Sequence, residues 1–229
     1  TENGAEELSE EECIKQVKIV EQLQAMELDV IQPRKSILST IPIFDDETIY
    51  QNTSDGYLRY RITIYRSEIY KYLITVGYNW LITPTTRETD ILGMTTNEFL
   101  TVLSTDRYFS HSADLYKGNT WISSYSTFTP TTWINSSNGV AVKFKLKANY
   151  LDSGELIQAK NHSGVIQAWA SVNVLGSSAT AKVIADYYHQ KIILAPSISV
   201  GFNSVGISIA PSVYHDHMLQ NPSIEFQVY

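Results

Sequence analysis

Apolar and polar residues alternate along most of the chain after residue 33. Because successive side chains of a β-strand point to opposite faces, a period of two indicates strands with one buried face. Stretches rich in Pro, Asn, Asp and Gly separate these runs and predict turns. We therefore predict a mainly β fold, an antiparallel β-sandwich of about eight to ten strands with one N-terminal helix. The predicted buried positions are Leu58, Tyr60, Ile62, Ile64, Tyr70, Tyr72, Ile74, Val76, Tyr78, Trp80, Val140, Val142, Phe144, Leu146, Ile166, Ala168, Ala170, Val172, Val174, Ala181, Val183, Ala185 and Tyr187.

One run, from residue 192 to residue 215, has no formally charged side chain and is nearly mirror-symmetric about its centre. A two-residue loop at Asn203 and Ser204 would pair Phe202 with Val205 and give a β-hairpin. One face of this hairpin is Ser and Gly, and the other is apolar. The apolar face consists of Ile198, Val200, Phe202, Val205, Ile207 and Ile209.

Three interpretations of this hairpin are open from the sequence. It can be part of a sandwich core, an edge at which copies of the chain assemble, or a segment that inserts into a membrane. The flanks 192–202 and 205–215 have the length of a membrane-spanning strand, and their alternation suits lipid on one side and water on the other. Pro196 and Pro211 argue against that role, because each removes a main-chain donor from the ladder.

The first residues have a different pattern. Ser9 followed by Glu12 forms a capping box, and apolar residues then recur at helical spacing, so we predict a helix over residues 10–27. We expect residues 1–32 to be an acidic helical appendage and residues 33–229 to form the β-sandwich domain. The single cysteine, Cys13, excludes an intramolecular disulfide.

Charge narrows the classes of function. The net charge is −7, and six glutamates among the first twelve residues leave the remainder almost neutral. A neutral body lacks the basic surface that phosphate binding needs, which argues against a nucleic-acid partner. The composition is polar with few charges and rich in Tyr, Ser, Thr and Asn, as is common outside cells. The chain begins with Thr1, as a processed secreted form or a trimmed chain would.

Two short motifs carry a resemblance. The segment from Trp80 to Pro84, with Thr89-Asp90-Ile91 beyond it, and the later Tyr187-Tyr188-His189 resemble uncharacterised secreted β-rich proteins of Gram-positive bacteria. The resemblance implies a secreted or cell-surface location. It implies no functional residue.

Candidate chemistry is sparse. His215 and His217 would share one face of a strand, but two histidines do not make a metal site, and His189 is the nearest third ligand in sequence. Acidic residues are available for a glycosidase pair, Asp90 among them, but the sequence distinguishes none from ordinary turn residues. We expect no metal, no cofactor and no enzymatic activity.

The segment from Tyr116 to Asn138 is more suggestive, because aromatic residues lie among Asn, Ser and Thr with Lys117 as the one charge. Exposed aromatic rings beside amides and hydroxyls are what a sugar-binding surface needs. The candidate glycan-binding residues are Trp121, Tyr125 and Trp133; the alternative is that these rings point into the core.

These observations favour a secreted or cell-surface, non-enzymatic β protein that acts by binding or by self-assembly. One alternative is a β-pore-forming protein that inserts the 192–215 hairpin into membranes. Another is a carbohydrate-binding module. The possible partners are accordingly a second copy, a cell-surface glycan or a membrane.

Overall fold

The computed structural model describes residues 47–53, 56–68, 70–85, 87–173, 179–190, 199–203, 206–210, 215–217 and 222–228. All of them belong to one compact unit, Ile43–Tyr229. The predicted appendage 1–32, its helix over residues 10–27 and Cys13 lie outside these ranges, as do Ile198 and Val205 of the predicted hairpin. The predicted domain boundary after residue 32 stays a prediction.

The described ranges contain sixteen strands and no helix. The strands are β1 (Glu47–Asn52), β2 (Leu58–Glu68), β3 (Lys71–Trp80), β4 (Thr89–Thr96), β5 (Leu100–Val102), β6 (Tyr108–Lys117), β7 (Thr120–Thr127), β8 (Thr132–Ser136), β9 (Gly139–Lys145), β10 (Tyr150–Asp152), β11 (Glu155–Val172), β12 (Ala179–Gln190), β13 (Ser199–Asn203), β14 (Gly206–Ala210), β15 (His215–His217) and β16 (Ser223–Val228).

These strands form three antiparallel sheets. Sheet A has eight strands in the order β1-β2-β3-β11-β6-β7, with β5 and β10 also paired to β11. Sheet B has six strands in the order β15-β12-β4-β9-β8, with β16 also paired to β12. The third sheet contains β13 and β14 alone.

A single large hydrophobic cluster lies between sheets A and B. Its members come from β2, β3 and β11 on one side and from β4, β9, β12 and β16 on the other. The alternation in the sequence therefore predicted the inner faces correctly: nearly all of the predicted positions are buried. Tyr70 lies in the turn before β3 and is exposed, and Val172 at the end of β11 is half-buried. Val174 lies outside the described residues.

The strand number differs from the predicted eight to ten. Some of the additional strands, β5, β10 and β15, are only three residues long. Another, β7, has no buried position along its whole length. A strand without a buried face shows no alternation of apolar and polar residues, so the pattern of the sequence does not reveal it.

Candidate functional site

The predicted hairpin exists, but its register differs from the prediction. Phe202 pairs with Ile207, and not with Val205, and Asn203 pairs with Gly206, so Asn203 belongs to the ladder and not to the loop. Gly206, the first residue of β14, has a φ of 133°, a conformation that favours glycine. Each residue's partner moves by two positions, which keeps the apolar residues on the same face.

The hairpin lies as a third layer on the outer face of sheet B. Ile207 is buried there with Ile91, Ala141 and Tyr188, and Val200 and Phe202 pack against the same cluster. Among the described residues, β13 and β14 form main-chain ladders only with each other. The hairpin is thus held to the sandwich by side-chain contacts, and we call it the docked hairpin.

Two glycines of sheet B make room for the docked hairpin. A Cβ atom on Gly93 would lie 2.2 Å from Cδ1 of Ile207, and one on Gly139 would lie 2.4 Å from Cδ1 of Phe202. Both distances are far shorter than a carbon–carbon contact allows. Any larger residue at these positions would push the hairpin outward.

Two side chains of β12 hold the hairpin's main chain. Asp186, which is fully buried, accepts a hydrogen bond of 2.6 Å from the N–H of Ile207. Tyr188 donates its hydroxyl to the carbonyl oxygen of Ile207, also at 2.6 Å. Burial and the nearby Asp186 charge raise the pKa of Tyr188 to about 12, so its hydroxyl stays a donor. We call Gly93, Gly139, Ala141, Asp186 and Tyr188 the cradle.

The sequence predicts one half of this site. It predicted Val200, Phe202 and Ile207 on one apolar face, and the structure brings these three together against the cradle. The side chain of Ile209 lies outside the described atoms. The cradle was not predicted. Its one signal in the sequence is that Asp186 and Tyr188 occupy outward positions between buried residues of β12.

A second candidate surface is the edge where both sheets end. Strand β7 ends sheet A and β8 ends sheet B, and a short connection joins them. No charged residue occurs between Lys117 and Lys143, so neither strand carries a charge. All eight residues of β7 are exposed or half-exposed. We call β7 and β8 together the uncharged edge.

The structure separates the three candidate glycan-binding residues. Trp121 lies on β7 with 55% of its surface exposed. Tyr125, also on β7, packs beside a small buried cluster, and the Lys147 ammonium is 4.7 Å from the centre of its ring. Trp133 lies in sheet B, packs against the main core and has the Arg107 guanidinium 4.5 Å from its ring centre.

A buried polar cluster joins the two sheets near Asp90. This carboxylate is fully buried and accepts hydrogen bonds from the hydroxyl of Tyr187 and the main-chain N–H of Gln190. The Nδ1 atom of His189 is 2.9 Å from one of its oxygens. Tyr187 in turn accepts a hydrogen bond of 3.0 Å from Nε1 of Trp80 in sheet A. All of these contacts lie in the core and hold its strands together.

The paired histidines near residue 216 lie on β15, which pairs with the end of β12. Their side chains are outside the described atoms, so the expectation that they hold no metal stays a prediction. Within the described part of the chain, no group of three His, Cys, Asp or Glu residues is arranged to hold a metal ion. No helix that could span a membrane occurs in that part either.

Comparison with known proteins gives only distant similarity. No family model and no curated protein matches the sequence. Among solved structures, the match to the pilus backbone of Streptococcus pneumoniae covers 58% of this chain and 28% of that protein. The sequence identity is 9% and the TM-score is 0.32. The collagen-binding subdomain of the Enterococcus faecalis surface protein ACE matches 82% of this chain over 98% of its own length, with 7% identity and a TM-score of 0.29. A pore-forming protein matches 80% of this chain over 90% of its own length, with 8% identity and a TM-score of 0.31.

Proposed function

We propose that this chain is a secreted or cell-surface, non-enzymatic β protein that acts by binding or by self-assembly through its uncharged edge. The observation that supports this most directly is the exposure of β7 along its whole length without a charged residue. Among the described strands, β7 pairs only with β6, so it is an edge strand. The open side of an edge strand presents free main-chain donors and acceptors, and most proteins protect such edges with lysine, proline or a bulge. Strand β7 has only a bulge, near Trp121.

The non-enzymatic part of the proposal rests on two observations. The sequence contains no catalytic motif. The buried carboxylates of Asp90 and Asp186 are each occupied by hydrogen bonds that hold strands together, and Asp90 is enclosed between the sheets. A reacting group needs access to its substrate, which these positions do not offer.

Light scattering across a range of protein concentrations tests the edge. We expect the mass of the full chain to rise with concentration and Ile122→Lys on β7 to keep it monomeric, because a charge on an unpaired edge opposes pairing. Ile82→Lys is the matched control, since Ile82 is similarly exposed but lies in the loop after β3. Equal effects of the two substitutions would contradict assembly through this edge.

A specific observation also favours a second function, the formation of a membrane pore by the docked hairpin. The hairpin forms no described main-chain ladder with sheet A or sheet B, so its release would leave both sheets paired. The run of residues 192–215 carries no formal charge that would oppose entry into lipid.

Dye release from liposomes tests this second function. A disulfide between Gly139→Cys and Phe202→Cys, in a Cys13→Ser background, would fasten the hairpin to sheet B. The Phe202 ring is the nearest neighbour of a Cβ at Gly139, so the two positions face each other, and removal of the ring makes space for the two sulfur atoms. We expect the locked protein to release no dye and the reduced protein to regain full leakage; equal leakage in both forms would exclude the hairpin from the mechanism.

A further inference from the structure

The far end of sheet A presents an outer surface that neither the docked hairpin nor sheet B covers. Here β10, β11, β6 and β7 lie side by side. On β6 and β11, Leu115, Ile157 and Ala159 are buried in a small cluster. Because side chains alternate along a strand, the residues between them face outward.

An aromatic row crosses these strands. Trp121 on β7 pairs with Tyr116 on β6, and Tyr116 pairs with Gln158 on β11. Residues directly opposite each other on neighbouring strands share a face, so Trp121, Tyr116 and Gln158 lie on one face of the sheet, on three successive strands. Beyond Gln158 the row continues in two exposed leucines, Leu156 and its partner Leu151.

A polar row runs beside the aromatic row. Asp114 accepts hydrogen bonds from the Ser124 hydroxyl at 3.1 Å and from the Asn161 amide at 2.9 Å. Lys160 is the register partner of Asp114, and its ammonium is 5.1 Å from the centre of the Tyr116 ring. Carboxylate, amide and ammonium groups are thus held along one side of the aromatic rings.

The charges of this surface are balanced. The Lys160 ammonium stands opposite the Asp114 carboxylate on the same face of the sheet. Such a surface matches a neutral ligand that combines an apolar face with many hydroxyl groups. A sugar ring has this combination, because its C–H face packs on an aromatic ring while its hydroxyls bond to amides and carboxylates.

We propose that this platform, defined by Trp121, Tyr116, Gln158 and Asp114, binds a neutral polysaccharide chain. The inference rests on the proposed binding function and names its ligand. Of the three glycan-binding residues predicted from the sequence, Trp121 belongs to this platform. Tyr125 and Trp133 are not part of the platform, since the first packs beside the buried cluster on the other face and the second lies in sheet B.

Affinity electrophoresis of the full chain in gels containing xylan, glucomannan, hydroxyethylcellulose or dextran, with co-sedimentation on chitin and cellulose, tests the proposal. We expect retention on at least one of these polysaccharides and a loss of about tenfold or more in affinity for Trp121→Ala, since a central exposed tryptophan usually dominates such contacts. Trp121→Phe should recover part of the affinity. Tyr65→Ala is the matched control and should bind like the unaltered chain, since Tyr65 is 45% exposed but lies on β2, outside the platform and the uncharged edge.

Each contrary outcome overturns the proposal. Retention on none of the six polysaccharides excludes this ligand class, and equal losses in Trp121→Ala and Tyr65→Ala exclude this surface. Binding to phosphatidylcholine vesicles alone, abolished by Trp121→Ala, would replace the polysaccharide with a lipid surface. If light scattering still shows Ile122-dependent self-association when no polysaccharide is retained, the edge function stands and only the ligand is wrong.

Discussion

Asp186 on β12 holds Ile207 on β14 by a hydrogen bond of 2.6 Å between its carboxylate and the main-chain N–H. Tyr188, two residues further along, donates its hydroxyl to the carbonyl oxygen of the same residue. Both main-chain polar groups of Ile207 are therefore occupied by side chains of sheet B. The contact gives the docked hairpin a defined position although no described ladder joins it to the sandwich.

Removal of this carboxylate should loosen the hairpin locally. We expect Asp186→Ala to speed hydrogen exchange at the Ile207 amide by about tenfold or more, because a buried donor left without an acceptor costs about 1–3 kcal/mol. Asp186→Asn should have a smaller effect, since its side-chain oxygen still accepts. Unchanged exchange at Ile207 in Asp186→Ala would show that the apolar contacts alone hold the hairpin.

The glycines of the cradle should be intolerant of a side chain. We expect Gly139→Ala to lower the free energy of unfolding by about 1–3 kcal/mol, because its Cβ would overlap the Phe202 ring. In a double-mutant cycle with Phe202→Ala, part of this loss should disappear, with a coupling of about 0.5 kcal/mol or more. Rescue should be partial, since the carbonyl oxygen of Met94 would still be 2.8 Å from the new Cβ.

Gly77→Ala provides the matched control in chemical unfolding. A Cβ at Gly77 would have its nearest neighbour at 3.5 Å, which is an ordinary contact. Its substitution should change stability little or raise it slightly by restricting the unfolded chain. A loss at Gly77 as large as that at Gly139 would mean that the overlap with Phe202 is not the cause.

The buried cluster around Asp90 should contribute strongly to stability. Asp90→Ala leaves Tyr187 and His189 without their acceptor, and removal of one member of a buried charged network typically costs about 3–5 kcal/mol. Asp114→Ala, which removes a carboxylate at the surface, should cost far less. Urea unfolding measures the free energy of unfolding of both variants. Similar losses would show that Asp90 stabilises the fold no more than a surface carboxylate does.

Acid should destabilise the protein through two stacked histidines. The rings of His111 and His162 lie 5.5 Å apart in the core, and burial lowers the pKa of His111 to about 4 and that of His162 to about 3. Both values are below the ordinary 6.5, so both rings are neutral when folded and take up protons more readily when the chain unfolds. Their contribution is complete above about pH 6.5 and is lost as the pH falls toward 4.

His162→Phe isolates one of these groups while it retains a ring against His111. Each histidine should remove about 1.4 kcal/mol per pH unit in the range below about pH 6.5. Urea unfolding at about pH 7 and about pH 5 should therefore show a smaller pH dependence for His162→Phe than for the unaltered chain. The same pH dependence in both proteins would rule out His162 as a source of acid sensitivity.

The buried faces of the sandwich followed from local pattern, whereas the burial of His162 on β11 did not. His162 belongs to β11, whose regular alternation would direct it outward with Gln158 and Lys160. A bulge between Lys160 and Ser163, where Asn161 has a φ of 52°, places His162 in the core instead. An irregularity of one residue leaves no trace in a hydrophobic pattern.

The sequence by itself determined which residues form the inner faces of sheets A and B, because burial on one face of a strand imposes a period of two on neighbouring residues. It also determined which residues form the apolar face of the hairpin, because a shift of two positions in the pairing register leaves each side chain on the same face. Only the tertiary structure decided that this face packs on Gly93 and Gly139, and that Trp121, Tyr116 and Gln158 form one row. These residues are far apart in the chain, and their meeting depends on strand order and register, which local alternation does not encode.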